Sequence, residues 1–262
     1  MAILERHSPG NFCWIELATS DQNAAKKFYG SLFGWKVEDF PMGPNEVYSM
    51  FSLEGRRTGA AYSLRPEHRE QGIPPHWQLY VAVASADATA AKVAQLGGKL
   101  VDPAFDVMDV GRMAVIQDPT GAVFAIWEAK RSAGTGIAGV DGTFCWADLY
   151  TPDREKAGTF YKGLFGWELM TEPEDHSGYT HIENGATPIG GIPPAGRAGN
   201  APPHWMIYIQ TSDCPATAAK AEALGAKTRL APLTIPGVGT MAILADPQGA
   251  VFALFQSARA SG

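Results

Sequence analysis

The sequence predicts an α+β fold made of two tandem copies of one domain. The main observation is an internal repeat, because residues 12–35 and 144–167 are identical at 13 of 24 positions. A second repeat is the motif PPHW, which begins at Pro74 and again at Pro202 and is followed in both places by a segment containing ATAAK. A third motif, DPxGAVFA, closes both halves. The motifs follow in the same order twice, so the duplication covers almost the whole chain.

The first repeat predicts a strand, a helix cap, a helix and a stop. Each copy opens with a short run rich in aromatic and apolar residues and reaches an aspartate in a turn, Asp21 or Asp153. Aspartate is a preferred residue at the start of a helix, and the Ala/Lys-rich segment that follows has helical periodicity. The glycine of the closing Leu-Phe-Gly-Trp indicates where each helix ends.

The remainder of each half predicts a second unit of the same kind. The apolar run after PPHW reads as a strand, the ATAAK segment as a helix that ends at Leu-Gly, and the DPxG motif as a turn before a last strand. Four strand-helix-strands units are therefore expected. The Gly/Ala/Ser-rich segment 129–141 is typical of a linker, which gives predicted domains at 8–128 and 142–257.

Composition excludes several functional classes. The chain has 262 residues with 45% hydrophobic and 18% charged content, a formal charge of -6 and no Lys/Arg cluster, which argues against nucleic-acid binding. No apolar run reaches the roughly 18 residues that span a bilayer, and residues 1–10 lack the features of a signal peptide. A cytoplasmic protein without disulfides is expected. Cys13 and Cys145 are predicted to pack beneath the helices.

These motifs resemble those of the vicinal oxygen chelate superfamily, which includes glyoxalase I, extradiol dioxygenases, and fosfomycin- and bleomycin-resistance proteins. The resemblance rests on the aspartate that opens an alanine-rich helix ending FYxxLFGW, and on the DPxGAxF strand. The resemblance covers both halves, and the chain as a whole is similar to two-domain glyoxalase-like proteins of actinobacteria. It implies four βαβββ units whose strands form two curved-sheet cups, with ligand on the concave face and helices on the convex face.

Strand alternation within that fold predicts which side chains face the cups. Many of them are aromatic, which favours a flat organic ligand, although the same rings could instead fill the cups. The predicted ligand-binding residues are Trp14, Glu16, His76, Gln78, Tyr80 and Trp127 in the first half, and Trp146, Asp148, Tyr150, His204, Met206, Tyr208 and Phe255 in the second.

The acidic and histidine residues on these faces have two interpretations. Glu16 and His76 are the candidate catalytic residues, because a carboxyl group in an apolar pocket has the raised pKa of a general acid or base. The alternative is that Glu16 and Asp148 make structural hydrogen bonds, and that His76 and His204 cap the start of a strand.

No metal is expected as a cofactor. By resemblance, the three metal-ligand positions of the family fall in the first half on Trp14, Gln78 and Ala125. In the second half they fall on Trp146, Met206 and Ala253. Tryptophan and alanine offer no ligand to a divalent cation. A displaced divalent-metal site that uses the nearby acid and histidine of either half remains the alternative.

Three functions remain open. The first is metal-free binding of a small aromatic molecule, similar to bleomycin-resistance proteins. The second is a metal-dependent lyase, isomerase or dioxygenase of the glyoxalase type, and the third is a metal-free acid-base enzyme acting on a natural product. The first is favoured, and the first cup is preferred over the second as the binding site. The duplication predicts a monomer with an internal pseudo-dimer, with a homodimer as the alternative.

Overall fold

The computed structural model describes residues 2–44, 46–171, 177–197, 199 and 201–258. A short strand near the start of the chain precedes the first half, which has eight strands and three helices. These elements are β1 (Ala2–Ile3), β2 (Phe12–Thr19), α1 (Gln22–Phe33), β3 (Lys36–Gly43), β4 (Glu46–Leu53), β5 (Arg56–Ser63), α2 (Pro66–Glu70), β6 (His76–Ala82), α3 (Ala86–Val93), β7 (Lys99–Val107), β8 (Gly111–Gln117) and β9 (Val123–Ala129).

The second half repeats this order without a helix in the position of α2 among its described residues. Within the predicted linker, a short strand, β10 (Ile137–Ala138), pairs antiparallel with β1. The elements are β10 (Ile137–Ala138), β11 (Phe144–Tyr150), α4 (Arg154–Phe165), β12 (Glu168–Met170), β13 (Thr180–Asn184), β14 (Thr187–Ile192), β15 (His204–Gln210), α5 (Cys214–Ala223), β16 (Lys227–Ile235), β17 (Gly239–Ala245) and β18 (Val251–Ser257).

Each half forms one eight-stranded sheet. The strand order is β3-β4-β5-β2-β6-β9-β8-β7 in the first half and β12-β13-β14-β11-β15-β18-β17-β16 in the second. The two βαβββ units of each half meet where β2 pairs antiparallel with β6, and β11 with β15. The predicted α+β fold of duplicated curved sheets is confirmed. The described residues contain no helix long and apolar enough to cross a membrane.

The helices begin and end as the repeat predicts. Asp21 caps α1 by accepting a hydrogen bond from the backbone N–H of Ala24 at 2.9 Å, and Asp153 caps α4 through Lys156 at the same distance. Both helices end at the glycine of Leu-Phe-Gly-Trp, which has a left-handed backbone with φ of 76° and 79°. Glycine adopts this conformation without a steric penalty.

The two halves exchange buried hydrogen bonds between tyrosines and aspartates. The hydroxyl of Tyr29 on α1 donates to Oδ2 of Asp246 in the second half at 3.0 Å. Tyr161 on α4 donates to Oδ2 of Asp118 in the first half, also at 3.0 Å. Residues of both halves join one apolar core around these pairs. These contacts hold together the faces of the two sheets that carry the helices. Each cup lies on the face of its sheet that the helices do not cover.

One prediction about side-chain direction is wrong. Cys13 and Cys145 do not pack beneath the helices but join the clusters on the cup faces. The reason is a β-bulge, because Phe12 pairs with Val81 while Trp14 pairs with the adjacent Tyr80, and this leaves Cys13 as the extra residue. The second half has the same irregularity at Cys145. A bulge inserts one residue and shifts the alternation of faces before it.

Replacing Tyr29 with phenylalanine should destabilise the protein by about 1–3 kcal/mol, because the buried carboxyl of Asp246 loses a donor that no water replaces. Tyr161→Phe is the matched variant on the other half and should cost a similar amount. Chemical denaturation followed by tryptophan fluorescence measures both. If neither variant lowers the free energy of unfolding, the exchanged pairs do not stabilise the association of the halves.

Candidate functional site

Both cups open into one cavity of about 2220 Å³. The two openings adjoin, because a Cβ on Gly121 of the first half would lie 3.5 Å from Pro203 of the second. Trp14 and Trp127 do not line the cavity and pack in the cup-face cluster behind it. The other predicted ligand-binding residues do line it: Glu16, His76, Gln78, Tyr80, Trp146, Asp148, Tyr150, His204, Met206, Tyr208 and Phe255.

The first cup contains a buried carboxyl group held by tyrosines. Glu16 accepts a 2.6 Å hydrogen bond at Oε2 from the hydroxyl of Tyr80. The Trp14 indole donates to the hydroxyl of Tyr48 at 3.2 Å, and the Tyr48 hydroxyl is hydrogen-bonded to the Glu16 carboxyl group. Burial raises the pKa of Glu16, and the two tyrosine hydroxyls oppose that change. The cup thus offers a carboxyl group that holds its proton at higher pH than an exposed glutamate.

The second cup repeats this network with an aspartate. Asp148 accepts from Tyr179 at Oδ1 over 2.6 Å and from Tyr208 at Oδ2 over 2.7 Å. The Trp146 indole lies 3.1 Å from Oδ1 of Asp148 and 2.8 Å from the Tyr179 hydroxyl. Burial raises the pKa of Asp148, and the bonds from the two tyrosines and the indole oppose the change. The aspartate is one methylene shorter than Glu16 but receives more donors.

Strand pairing explains why the same residues meet twice. Glu16 lies opposite Gln78 on β6 and beside Ala60 on β5, and Asp148 lies opposite Met206 and beside Gly191 in the same way. Neighbouring residues on adjacent strands share one face of a sheet, so the carboxyl group shares its face with Tyr80 of β6 in the first cup and with Tyr208 of β15 in the second. The duplicated sequence therefore builds the same network in both cups.

The sequence interpretation missed three residues of the cups. Tyr48 and Tyr179 occupy matching places, in β4 and just before β13. The sequence signal that could have identified them is the tyrosine that follows the first helix in each half. His181 on β13 also lines the second cup, with its ring edge-on to Tyr179 and its buried Nδ1 without a hydrogen-bond partner among the described residues. Strand register places Met50 at the corresponding position of the first cup, so no repeat marked this histidine.

The two predicted histidines have fixed orientations at the cavity. Nδ1 of His76 lies 2.9 Å from the carbonyl oxygen of Pro74, and Nδ1 of His204 lies 2.8 Å from that of Pro202. A carbonyl can only accept, so Nδ1 carries the hydrogen, and Nε2 of the neutral ring is an acceptor. Burial lowers the pKa of both histidines, which favours the neutral ring at pH 7. The bond to proline fixes the ring and leaves Nε2 for other contacts.

The residues at the family's metal-ligand positions do not fit a divalent cation. Trp14 and Ala125 carry no suitable donor, and Gln78 uses its Nε2 to donate to the carbonyl of Leu79. Over the described ranges of the chain, no three His, Cys, Asp or Glu side chains come together in a metal-binding arrangement. The polar residues of the closing strands, Glu128 and Gln256, offer no third ligand because they lie on the other face of the sheet. They accept from backbone N–H groups at the starts of α3 and α5.

Comparison with protein families gives the same picture of two copies. A model described as "Glyoxalase/Bleomycin resistance protein/Dioxygenase superfamily" matches residues 12–126, and one described as "Glyoxalase-like domain" matches residues 145–255. The chain belongs to the glyoxalase/bleomycin resistance protein/dioxygenase superfamily. The resemblance noted in the sequence is confirmed.

Full-length relatives of this superfamily member include two named proteins. The chain is 41% identical over 247 residues to "Putative glyoxylase CFP32" of Mycobacterium tuberculosis (strain CDC 1551 / Oshkosh), and the match covers 94% of each chain. It is 33% identical over 267 residues to "Anthracycline biosynthesis protein DnrV" of Streptomyces peucetius, which covers 97% of this chain and 95% of that protein.

Solved structures of other superfamily members share the fold. The Mn(II)-bound glyoxalase from Novosphingobium aromaticivorans matches with a TM-score of 0.65 and 16% identity, over 95% of this chain and 82% of the other. The 2,3-dioxygenase LapB from Pseudomonas sp. KL28 matches with a TM-score of 0.63 and 13% identity, over 96% of this chain and 94% of the other. At these identities the likeness concerns the fold alone.

The raised pKa of Glu16 predicts a pH-dependent effect of the isosteric change Glu16→Gln. Between the unfolded pKa, about 4.3, and the higher folded pKa, the folded protein keeps a proton that the unfolded chain has lost. The free energy of unfolding of the parent protein therefore falls as pH rises through this window. Glutamine cannot ionise, so the stability of the variant relative to the parent should increase with pH, and Asp148→Asn should do the same.

Thermal unfolding of parent and variants from about pH 2 to about pH 8 measures this dependence on both sides of the ordinary carboxyl pKa values, which are about 4. Asp39→Asn is a control of opposite sign, because the hydrogen bond from Lys26 lowers the pKa of Asp39. Its relative stability should decrease as pH rises above the folded pKa of Asp39. A pH-independent difference between Glu16→Gln and the parent would contradict the assignment of a raised pKa to Glu16.

Proposed function

We propose that this protein binds a flat aromatic organic molecule in its cups. The observation that carries the proposal is the duplicated network of a buried carboxyl group and tyrosine hydroxyls, Glu16 with Tyr80 and Asp148 with Tyr208, at the wall of a large cavity. Aromatic walls with a few placed polar groups suit a planar ligand that stacks and accepts or donates hydrogen bonds through its substituents.

The size of the cavity supports a fused-ring ligand. A cavity of about 2220 Å³ exceeds the 300–1,000 Å³ that is typical of sites for drug-sized molecules. The relative named for anthracycline biosynthesis points to the same chemistry, because anthracyclines are flat fused-ring compounds that carry hydroxyl and keto groups. Such substituents match the carboxyl group, the tyrosine hydroxyls and the Nε2 atoms of His76 and His204.

A hydroxylated anthraquinone is a suitable probe of this function. Isothermal titration with 1,4-dihydroxyanthraquinone should give saturable binding. Glu16→Gln or Asp148→Asn should weaken binding by about tenfold in the cup that the probe occupies, which corresponds to one hydrogen bond with a raised-pKa carboxyl group. Glu128→Gln is the matched control, because Glu128 lies on the helix face of the same sheet and should leave the affinity unchanged. No saturable binding of any planar aromatic would overturn the proposal.

We also infer that binding needs no divalent metal, because the family's metal-ligand positions are occupied here by tryptophan, glutamine, methionine and alanine. Elemental analysis of protein purified without a chelator or a His-tag should find less than one divalent ion per chain. Treatment with EDTA should leave the dissociation constant of the anthraquinone probe unchanged. A tightly held stoichiometric metal, or a large loss of affinity on chelation, would contradict this inference.

Acid-base catalysis on the bound aromatic is a second candidate. Glu16, whose pKa is raised by burial, and the neutral ring of His76 line the same cavity and supply a candidate proton donor and a candidate proton acceptor. If the protein is an enzyme of this kind, Glu16→Gln should abolish turnover of the substrate while the product still binds. Equal loss of binding and turnover would leave Glu16 as a binding residue.

A further inference from the structure

Apart from histidines, the described basic side chains that line the cavity are all arginines. They are Arg65, Arg69, Arg197 and Arg229, and no lysine is among the lining residues. None of these arginines has a carboxylate partner within the described ranges, whereas Arg112 on the outer surface pairs with two aspartates. The chain as a whole carries a formal charge of -6, so the group of arginines at the cavity is not a consequence of an excess of basic residues.

One of these arginines stands near a tyrosine in each cup. Arg65 follows the end of β5, and its charge acts on the hydroxyl of Tyr62. Arg197 follows β14, the equivalent strand, and its charge acts on the hydroxyl of Tyr150. Both tyrosines line the cavity, and the carboxyl group of the same cup raises the pKa of each tyrosine, Glu16 that of Tyr62 and Asp148 that of Tyr150. The same combination of arginine and phenol therefore occurs in both halves.

The two tyrosines reach this place from different strands. Tyr62 lies on β5 beside Ala18 of β2, whereas Tyr150 lies on β11 itself, at the position that corresponds to Ala18. The Tyr150 ring is stacked on the ring of His204 at 4.9 Å with an interplanar angle of 1°. Tyr150 and His204 thus share one part of the second cup, and the ring stack fixes the orientation of the phenol. Arg197 also lines the cavity, and its charge acts on this phenol.

The groups around each tyrosine differ in charge. In the first cup Asp102 also acts on the Tyr62 hydroxyl and opposes the charge of Arg65. In the second cup the acid among the described residues that acts on the Tyr150 hydroxyl is Asp148, whose two oxygens already accept hydrogen bonds from Tyr179 and Tyr208. Counted over the described residues, the positive charge of the second cup is therefore less compensated than that of the first.

A guanidinium that has no carboxylate partner among the described residues and shares a cavity wall with a phenol hydroxyl suits a carboxylate. Charge-assisted hydrogen bonds are among the strongest that a protein makes, and the planar donor fork matches two oxygens. We propose that the ligand of this protein carries a carboxylate on its aromatic skeleton and that Arg197 of the second cup binds this group together with Tyr150. The inference rests on the proposed function and adds the acidic substituent and the cup that recognises it.

A matched pair of probes tests this inference. Anthraquinone-2-carboxylate should bind about tenfold more tightly than anthraquinone-2-carboxamide at low salt, the difference expected of one partly exposed charge-assisted contact. The preference should decrease at high salt. Arg197→Gln should remove the preference and leave the affinity for the amide unchanged, whereas Arg65→Gln should reduce it by less than about threefold because Asp102 already offsets that charge. Arg6→Gln, an exposed change outside the cavity, controls for net charge.

The outcomes separate this inference from the proposed function. If both probes bind equally and Arg197→Gln has no effect, the carboxylate site is wrong while aromatic binding stands. If neither probe binds, the proposed function itself fails. If the preference is lost in Arg65→Gln and kept in Arg197→Gln, the assignment to the second cup is overturned. Circular dichroism of each variant checks that the fold is intact.

Discussion

The arrangement of the whole molecule depends on two buried aspartates that each serve both halves. Oδ1 of Asp118 accepts from three backbone N–H groups of its own turn, and Oδ2 accepts from Tyr161 of the other half. Asp246 does the same with its turn and with Tyr29. A buried carboxylate is tolerated only when donors satisfy its oxygens. The turn satisfies one oxygen of each aspartate and the tyrosine of the other half satisfies the second, so each aspartate needs both sets of contacts.

The indoles of the second units extend these contacts. Nε1 of Trp77 donates to the Tyr29 hydroxyl at 3.1 Å, and Nε1 of Trp205 donates to Tyr161 at 3.0 Å. Each of these tryptophans follows the histidine of the PPHW motif, whose ring lies on the opposite face of the strand and lines the cavity. The first residues of β6 and β15 therefore connect the interface on one face with the cups on the other. Because both sheets are fixed by the same buried contacts, their cups open side by side into one cavity.

The cups show how one duplicated framework acquires two different sites. The carboxyl-tyrosine-indole network is common to both, since it depends on strand register that the repeat preserves. The differences lie around it, where Ala18 and Met50 of the first cup correspond to Tyr150 and His181 of the second. Tyr150 and His181 line the cavity, and none of the four residues belongs to the apolar core that the two halves share. Binding specificity can therefore diverge between the halves without loss of stability.

The sequence by itself determined the duplication, the four units, the capped helices and the face of most strand residues, because these follow from local periodicity and turn chemistry. It also predicted that Glu16 and Asp148 face the cups, whereas the burial of both acids is known only from the structure. It could not reveal the bulge that turns Cys13 toward the cup, since an extra residue in a strand has no local signature here. Only the tertiary structure decided which residues meet these acids. Tyr48, Tyr179 and the arginines at the cavity come from distant strands and loops, and their approach depends on sheet curvature and on the contact between the two halves.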